Sequence, residues 1–201
     1  MCGSDDDPEM PDDPQPFEKT SIPLPALHGW KCKAGNNLFV AERGAVAFEI
    51  PAGWVIRHDQ KQTVSIHDRE PPADEVRISL TIFRLPPVKG GWGKLPLKQL
   101  LAMLWDEERR QKNQAQEELI MNEEKRPDVE LVWSQKPALN DPENGKPILC
   151  RQLLARARLV QCLITFEVYE DVAERFQSAW TDLLETLKVA IPRDLTGHVG
   201  N

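Results

Sequence analysis

From Val76 to Leu85, apolar Val76, Ile78, Leu80 and Ile82 alternate with Arg77, Ser79, Thr81 and Phe83 over ten positions. A period of two describes a β-strand with one buried face. Pro71-Pro72 and Pro86-Pro87 bracket the run. Proline cannot donate to a strand ladder, so the strand is confined between them. A chain that builds such a strand must also supply strands to pair with it and a layer to cover its apolar face.

Candidate partners lie on both sides. Residues 36–57 open on the turn signal Asn36-Asn37 and break again near Gly44. Leu38 and Val40, then Ala45, Ala47, Phe48 and Ile50, give two strands that close at Pro51-Ala52-Gly53-Trp54. Thr63 to His67 is a short alternating run, and Val129, Leu131 and Trp133 form another after Pro127. Residues 147–169 are β-prone throughout. As one strand they would span about 75 Å, too long for a domain of this size. A bend is expected near Arg156-Ala157-Arg158, although no glycine marks it. Beyond it Val160, Cys162, Ile164, Phe166 and Val168 make one apolar side.

Two helices complete the pattern. Leu97, Leu100, Leu101, Leu104 and Trp105 have the spacing of a single helix face, with Pro96 suited to the first turn. This helix is expected to end between residues 113 and 122. Asp171 and Glu174 have capping-box spacing, and Val172, Phe176, Ala179, Trp180, Leu183, Leu184 and Leu187 form a second stripe, stopped by Pro192. The order ββ–ββ–α–βββ–α predicts an α+β fold, an antiparallel β-sheet flanked by helices. Parallel units would need a helix after nearly every strand.

Charge divides the chain. Residues 1–18 hold seven acids, no Lys or Arg and four prolines. The whole chain carries 32 Asp+Glu against 25 Lys+Arg, so removing those seven leaves 25 of each. The net −7 therefore belongs to the leader, and bulk attraction of the chain to nucleic acid is not expected. The domains expected are a disordered acidic, Pro-rich leader at 1–20, an unplaced extension at 21–35, a folded domain at 36–190 and a frayed tail at 191–201. The leader serves either as a solubilising tether or as an arm for a basic partner. No apolar run approaches the roughly 20 residues of a transmembrane helix, and no secretory signal is visible. A cytoplasmic location is expected. The alternative is an envelope lipoprotein anchored through Cys2, because Cys2-Gly3-Ser4 before an acidic tether has the look of a mature lipoprotein start.

Several of these segments together resemble the PsbP-like superfamily. They are Phe48-Glu49-Ile50-Pro51-Ala52-Gly53-Trp54, where a strand ends in Pro-x-Gly-Trp; the strands after it; the helix beginning near Leu97; and the closing strand Leu163–Tyr169 running into the helix at 171–188. That superfamily includes photosystem II extrinsic proteins, a Ran-binding nuclear import factor and small bacterial proteins. The resemblance covers about residues 36–190. It implies an α/β/α sandwich and a role in binding another protein, as adaptor, chaperone-like or accessory domain of bacterial type. It supplies no catalytic set to carry over, and fold alone does not fix function.

The residues offer several chemistries, each with a plainer reading. His58-Asp59 and His67-Asp68 contain metal-ligand types, but neighbours on a strand point to opposite faces, and polar loop residues are the plainer reading. Cys150 and Cys162 would face each other if the turn centred on residue 156, giving a disulfide; the alternative is two buried thiols. Cys32 with His28 or His58 is a formal nucleophile and base, with nothing local to activate the thiol. Gly90-Gly91-Trp92-Gly93-Lys94 fails as a phosphate loop, since Val88 takes the first glycine position and Leu95 follows the lysine. Trp92 is either folded back on the core or offered to a partner. Arg151, Arg156 and Arg158 suggest a basic face that could dock an acidic partner, or a charged strand edge. The expectation is a non-enzymatic protein-binding module with no cofactor. A metal-dependent or thiol enzyme is the remaining alternative.

Overall fold

The computed structural model describes residues 31–58, 63–89, 91–92, 95–112, 120–136, 139–141 and 144–190. The expected leader, Cys2, His28 and the tail at 191–201 lie outside the described residues. Eleven strands and two α-helices are described: β1 Asn36–Ala41, β2 Val46–Pro51, β3 Val55–His58, β4 Val64–His67, β5 Val76–Arg84, α1 Leu97–Lys112, β6 Met121–Arg126, β7 Val129–Gln135, β8 Leu139–Asn140, β9 Pro147–Ala157, β10 Val160–Tyr169, α2 Gln177–Thr186 and β11 Lys188–Val189. The fold is α+β.

The large sheet runs in the order β3-β4-β5-β10-β9-β7-β6, with β8 also paired to β9, and a smaller sheet has the order β1-β2-β11. Every pairing is antiparallel. The alternating strand β5 lies third along the large sheet, between β4 and β10. Its apolar face (Val76, Ile78, Leu80) is buried. That face joins Leu153, Ile164 and Phe166 to Trp180 and Leu183 of α2 and to Phe39, Val46 and Phe48 of the small sheet. Trp180 meets the edges of Trp133 at 5.6 Å and Phe166 at 5.5 Å, separations that suit T-shaped aromatic pairs. On the opposite face Leu97, Leu101 and Trp105 of α1 cover Val132 and Leu154.

The differences from expectation have local causes. Residues 147–169 do bend, but the two-residue turn is Arg158-Leu159, since Ala157 pairs with Val160. Arg158 takes the left-handed conformation at φ +52 in place of a glycine. Residues Glu170–Phe176 are a 3-10 turn, and α2 starts at Gln177 with no side-chain cap at either start, so the Asp171 capping box does not form. Leu104 is 43% exposed, because α1 lies on only part of the sheet and buries the i, i+4, i+8 line Leu97–Leu101–Trp105. Strand β6 was hidden from periodicity because its middle residues (Asn122, Glu123, Glu124, Lys125) are exposed on both faces. On β1 it is Phe39 and Ala41 that are buried, while Val40 faces out.

The described end of the 21–35 extension is tied to the domain. The Glu49 carboxylate, buried on β2, accepts from Lys33 N and Asn36 Nδ2, each at 3.0 Å. Lys33 Nζ bonds Asp182 and Glu185 of α2.

Candidate functional site

Strand β5, the loop after it, the entry to α1 and the β9–β10 turn all end at the same side of the large sheet. Leu85 N donates to Leu159 O at 2.8 Å, which joins the β5 loop to the hairpin tip. Arg156 Nη2 donates to Leu95 O at 3.0 Å, which joins the start of α1 to β9. Phe83, Gln161, Arg156 and Glu130 occupy one row across four strands. Around this row Phe83, Val88, Leu95 and Leu159 are between 41% and 44% exposed. Lys89 and Arg158 are exposed as well, while Arg84, next to Phe83 on β5, belongs to the other face and is ion-paired to Glu42 at 3.1 Å. Trp92 is half-buried, and its Nε1 donates to Pro86 O at 2.7 Å. That bond folds the indole back on its own loop and holds the loop in shape.

Of the three arginines expected on one basic face, only Arg158 is on the surface. Arg156 is 5% exposed and pairs with Glu130 Oε2 at 2.9 Å. Arg151 is 9% exposed and belongs to the opposite face, five residues along the strand. Its guanidinium lies 5.4 Å from the Trp180 ring and donates to Gln135 Oε1 and Gln177 Oε1 at 3.2 and 2.8 Å. Burial without a carboxylate lowers its pKa. The basic face is thus corrected: odd and even positions of a strand divide between the two faces, and both are covered here.

The cysteine pairing is corrected as well. Because the turn centres past residue 158, Cys162 stands opposite Ala155 and Cys150 opposite Glu167. The five-position offset separates them by about 17 Å along the ladder, far beyond disulfide reach. Both are buried thiols outside any disulfide, and burial pushes the Cys162 thiol up to about 12. Cys32 is exposed, its pKa raised by partial burial and by Glu49. Nothing in that setting favours a thiolate.

His58 and His67 do not converge. They sit at opposite ends of the β3–β4 hairpin, His58 facing Val64 and His67 facing Val55. No group of three His, Cys, Asp or Glu side chains suited to a metal occurs among the described residues. The ring of His67 is engaged on both sides instead. Its Nδ1 is 2.8 Å from Asp74 Oδ2, and its Nε2 is 3.0 Å from Ser65 Oγ. Sequence reasoning missed this trio. The signal available was Ser65-x-His67 on one strand, which puts both side chains on one face, but the Asp74 contact depends on the loop at 68–75.

A family model for Alr1449 matches residues 37–191. The chain belongs to the Alr1449 family. It is 28% identical over 173 residues to the uncharacterized protein alr1449 of Nostoc sp., covering 86% of this chain and 87% of that one. Solved structures show that the Alr1449-family domain has the PsbP-like fold. Cyanobacterial PsbP (CyanoP) from Synechocystis sp. superposes with a TM-score of 0.57 at 13% identity, over 80% of this chain and 98% of that one. The Saccharomyces cerevisiae Ran-binding protein Mog1p gives 0.52 at 12% identity, over 80% and 97%. A Bacteroides thetaiotaomicron structure matches at 0.53 and 11% identity over 77% of this chain, which spans about half (48%) of that larger one. At these identities the likeness is one of fold. Among the described residues no helix is long and apolar enough to cross a membrane.

Proposed function

We propose that this domain is a protein-binding accessory module whose hairpin-tip surface docks an acidic, apolar segment of another protein. The observation that carries this reading is that Phe83, Val88, Leu95 and Leu159 are all exposed where the end of β5, the entry to α1 and the hairpin tip are joined, with Lys89 and Arg158 exposed as well. Single exposed apolar residues are ordinary, but several gathered at one end of a sheet mark an interaction site. Apolar centres give affinity, and the exposed cations Lys89 and Arg158 favour an acidic partner. The PsbP-like fold supports the reading, since the neighbour Mog1p is a Ran-binding protein.

The test is capture from the lysate of the native organism with three full-length baits: wild type, the double variant Phe83→Ser/Leu159→Glu, and Met103→Ser on the exposed side of α1. A stoichiometric partner held by wild type and Met103→Ser but lost by the double variant supports the surface. A partner held equally by all three moves the interface elsewhere. A bait starting at residue 20 separates a second case. If its hairpin tip binds a synthetic peptide of residues 1–20, the natural occupant is the chain's own acidic leader.

A further inference from the structure

We propose that Ser65, His67 and Asp74 form a serine-nucleophile relay that transfers the acyl group of a small carboxylic ester to water. The inference goes beyond the binding reading and rests on a different part of the molecule.

Ser65 and His67 are two residues apart on β4, so both side chains lie on the same face of the large sheet. An ionised carboxylate only accepts hydrogen bonds, so Asp74, 2.8 Å from Nδ1, holds the ring proton there. The lone pair of Nε2 is then turned to the Ser65 hydroxyl, 3.0 Å away. This is the tautomer in which an imidazole takes up a hydroxyl proton. Such relays are recognised by geometry and roles, and their order along the chain varies among unrelated folds. His67 is 6% exposed and therefore shielded, while Ser65 is only half-buried.

The surroundings define a substrate class. Ser79 and then Thr165 continue the row from Ser65 across β5 and β10. These short polar side chains suit a small polar acyl group. Arg57 stands directly opposite Ser65 on β3, and Arg77 opposite His67 on β5. Arg57 Nη2 is engaged by Glu70, and Arg77 by Glu167. Arg57, opposite Ser65 in register, is the cation assigned to face an oxyanion formed there, in competition with its Glu70 pair.

The step balances without any co-reactant but water. As Ser65 Oγ bonds the carbonyl carbon, its proton passes to His67 Nε2. The carbon–oxygen bond to the alcohol breaks, and the alcohol leaves with that proton. Water then repeats the sequence on the acyl-serine: its proton goes to Nε2, its oxygen bonds the carbonyl carbon, and Ser65 Oγ departs with the proton. The products are a carboxylic acid and an alcohol. Asp74 acts on the reaction through the ring and is a positioning residue.

The experiment uses the full chain with a fluorophosphonate probe, located by peptide mass spectrometry, and with p-nitrophenyl acetate hydrolysis. Ser65 is the expected adduct site. Ser65→Ala should abolish labelling and lower the hydrolysis rate at least about 100-fold. Ser178→Ala, an exposed serine on α2, should keep both. Asp74→Asn should lower kcat about 100-fold or more with KM unchanged. Replacing buried His67 endangers the fold, so the half-buried Ser65 is the deciding site, with the urea midpoint confirming that the variant is folded. An unlabelled Ser65 in folded wild type, hydrolysis by Ser65→Ala at the wild-type rate, or an unchanged kcat in Asp74→Asn would each overturn the proposal and leave the trio as a clasp for the loop at 68–75.

Discussion

Arg126 Nη2 donates to the main-chain carbonyl of Leu184, 2.8 Å away and 58 residues along the chain. Leu184 lies in the last turn of α2, where main-chain carbonyls have no partner within the helix. The guanidinium also reaches Leu187 O at 3.5 Å. An arginine on an edge strand thus supplies the C-terminal cap that α2 lacks in its own last turn, which holds no basic residue. The same side chain bonds Glu124 through Nε and Nη2 at 2.8 and 3.1 Å, holding that carboxyl below its ordinary range.

Arg126→Ala is expected to lower stability by about 1–2 kcal/mol, from one charge-assisted bond and the helix-dipole contact. Urea denaturation measures this as a lower midpoint with an unchanged slope. A midpoint equal to wild type would mean that solvent caps α2 equally well.

Asp182 gives a pH dependence. Burial raises its pKa, but the bonds from Lys33 and Asn36 outweigh that, and the net shift is downward. A carboxyl with a depressed folded pKa contributes stability above its unfolded value, and the contribution vanishes as pH falls through the folded one. The loss should therefore begin below about pH 4. Urea midpoints of wild type and Asp182→Asn should differ at pH 6 and converge by pH 2. A constant difference would place the effect in packing instead of charge.

Thiol accessibility tests the β9–β10 register. In native protein at pH 8, Cys150 and Cys162 should resist an aromatic disulfide reagent and react only after unfolding, while exposed Cys32 reacts throughout. Oxidised protein should yield no peptide joining Cys150 to Cys162. Recovery of that peptide would show that the turn is not at Arg158-Leu159.

The core makes opposite predictions for two touching residues. Trp180→Ala should cost about 3–5 kcal/mol, because it leaves a cavity between Trp133 and Phe166. Arg151→Met should cost under about 1 kcal/mol or stabilise, because the guanidinium it removes is buried on neutral partners. Thermal unfolding of the two variants decides between these effects.

Elements with strong periodicity are legible in the sequence. Strand β5, the apolar side of β10 and the Trp180–Leu183 stripe of α2 were each read at their places, since burial on one face imposes a period of two or about 3.6 on the sequence. Strand β6 was not, because an edge strand exposed on both faces carries charges in place of alternation. The hairpin turn was read two residues early, because Arg158 adopts the left-handed conformation where glycine would have marked the turn. That shift moved the cysteines out of register. Within the tip surface, Trp92 and Arg158 stand out in the sequence, while Phe83 and Leu159 do not, since alternation alone does not say which faces go uncovered.

The sequence by itself determined the class of fold, the family resemblance and the concentration of the net charge in residues 1–18. Each of these follows from local composition or short-range periodicity. Tertiary structure alone decided that Arg151 and Arg156 are buried on opposite faces, that Arg126 caps a helix far away in sequence, and that Asp74 reaches His67. Those outcomes depend on strand register and loop path. A one-residue change in either turns a side chain to the other face of the sheet, and no local pattern records it.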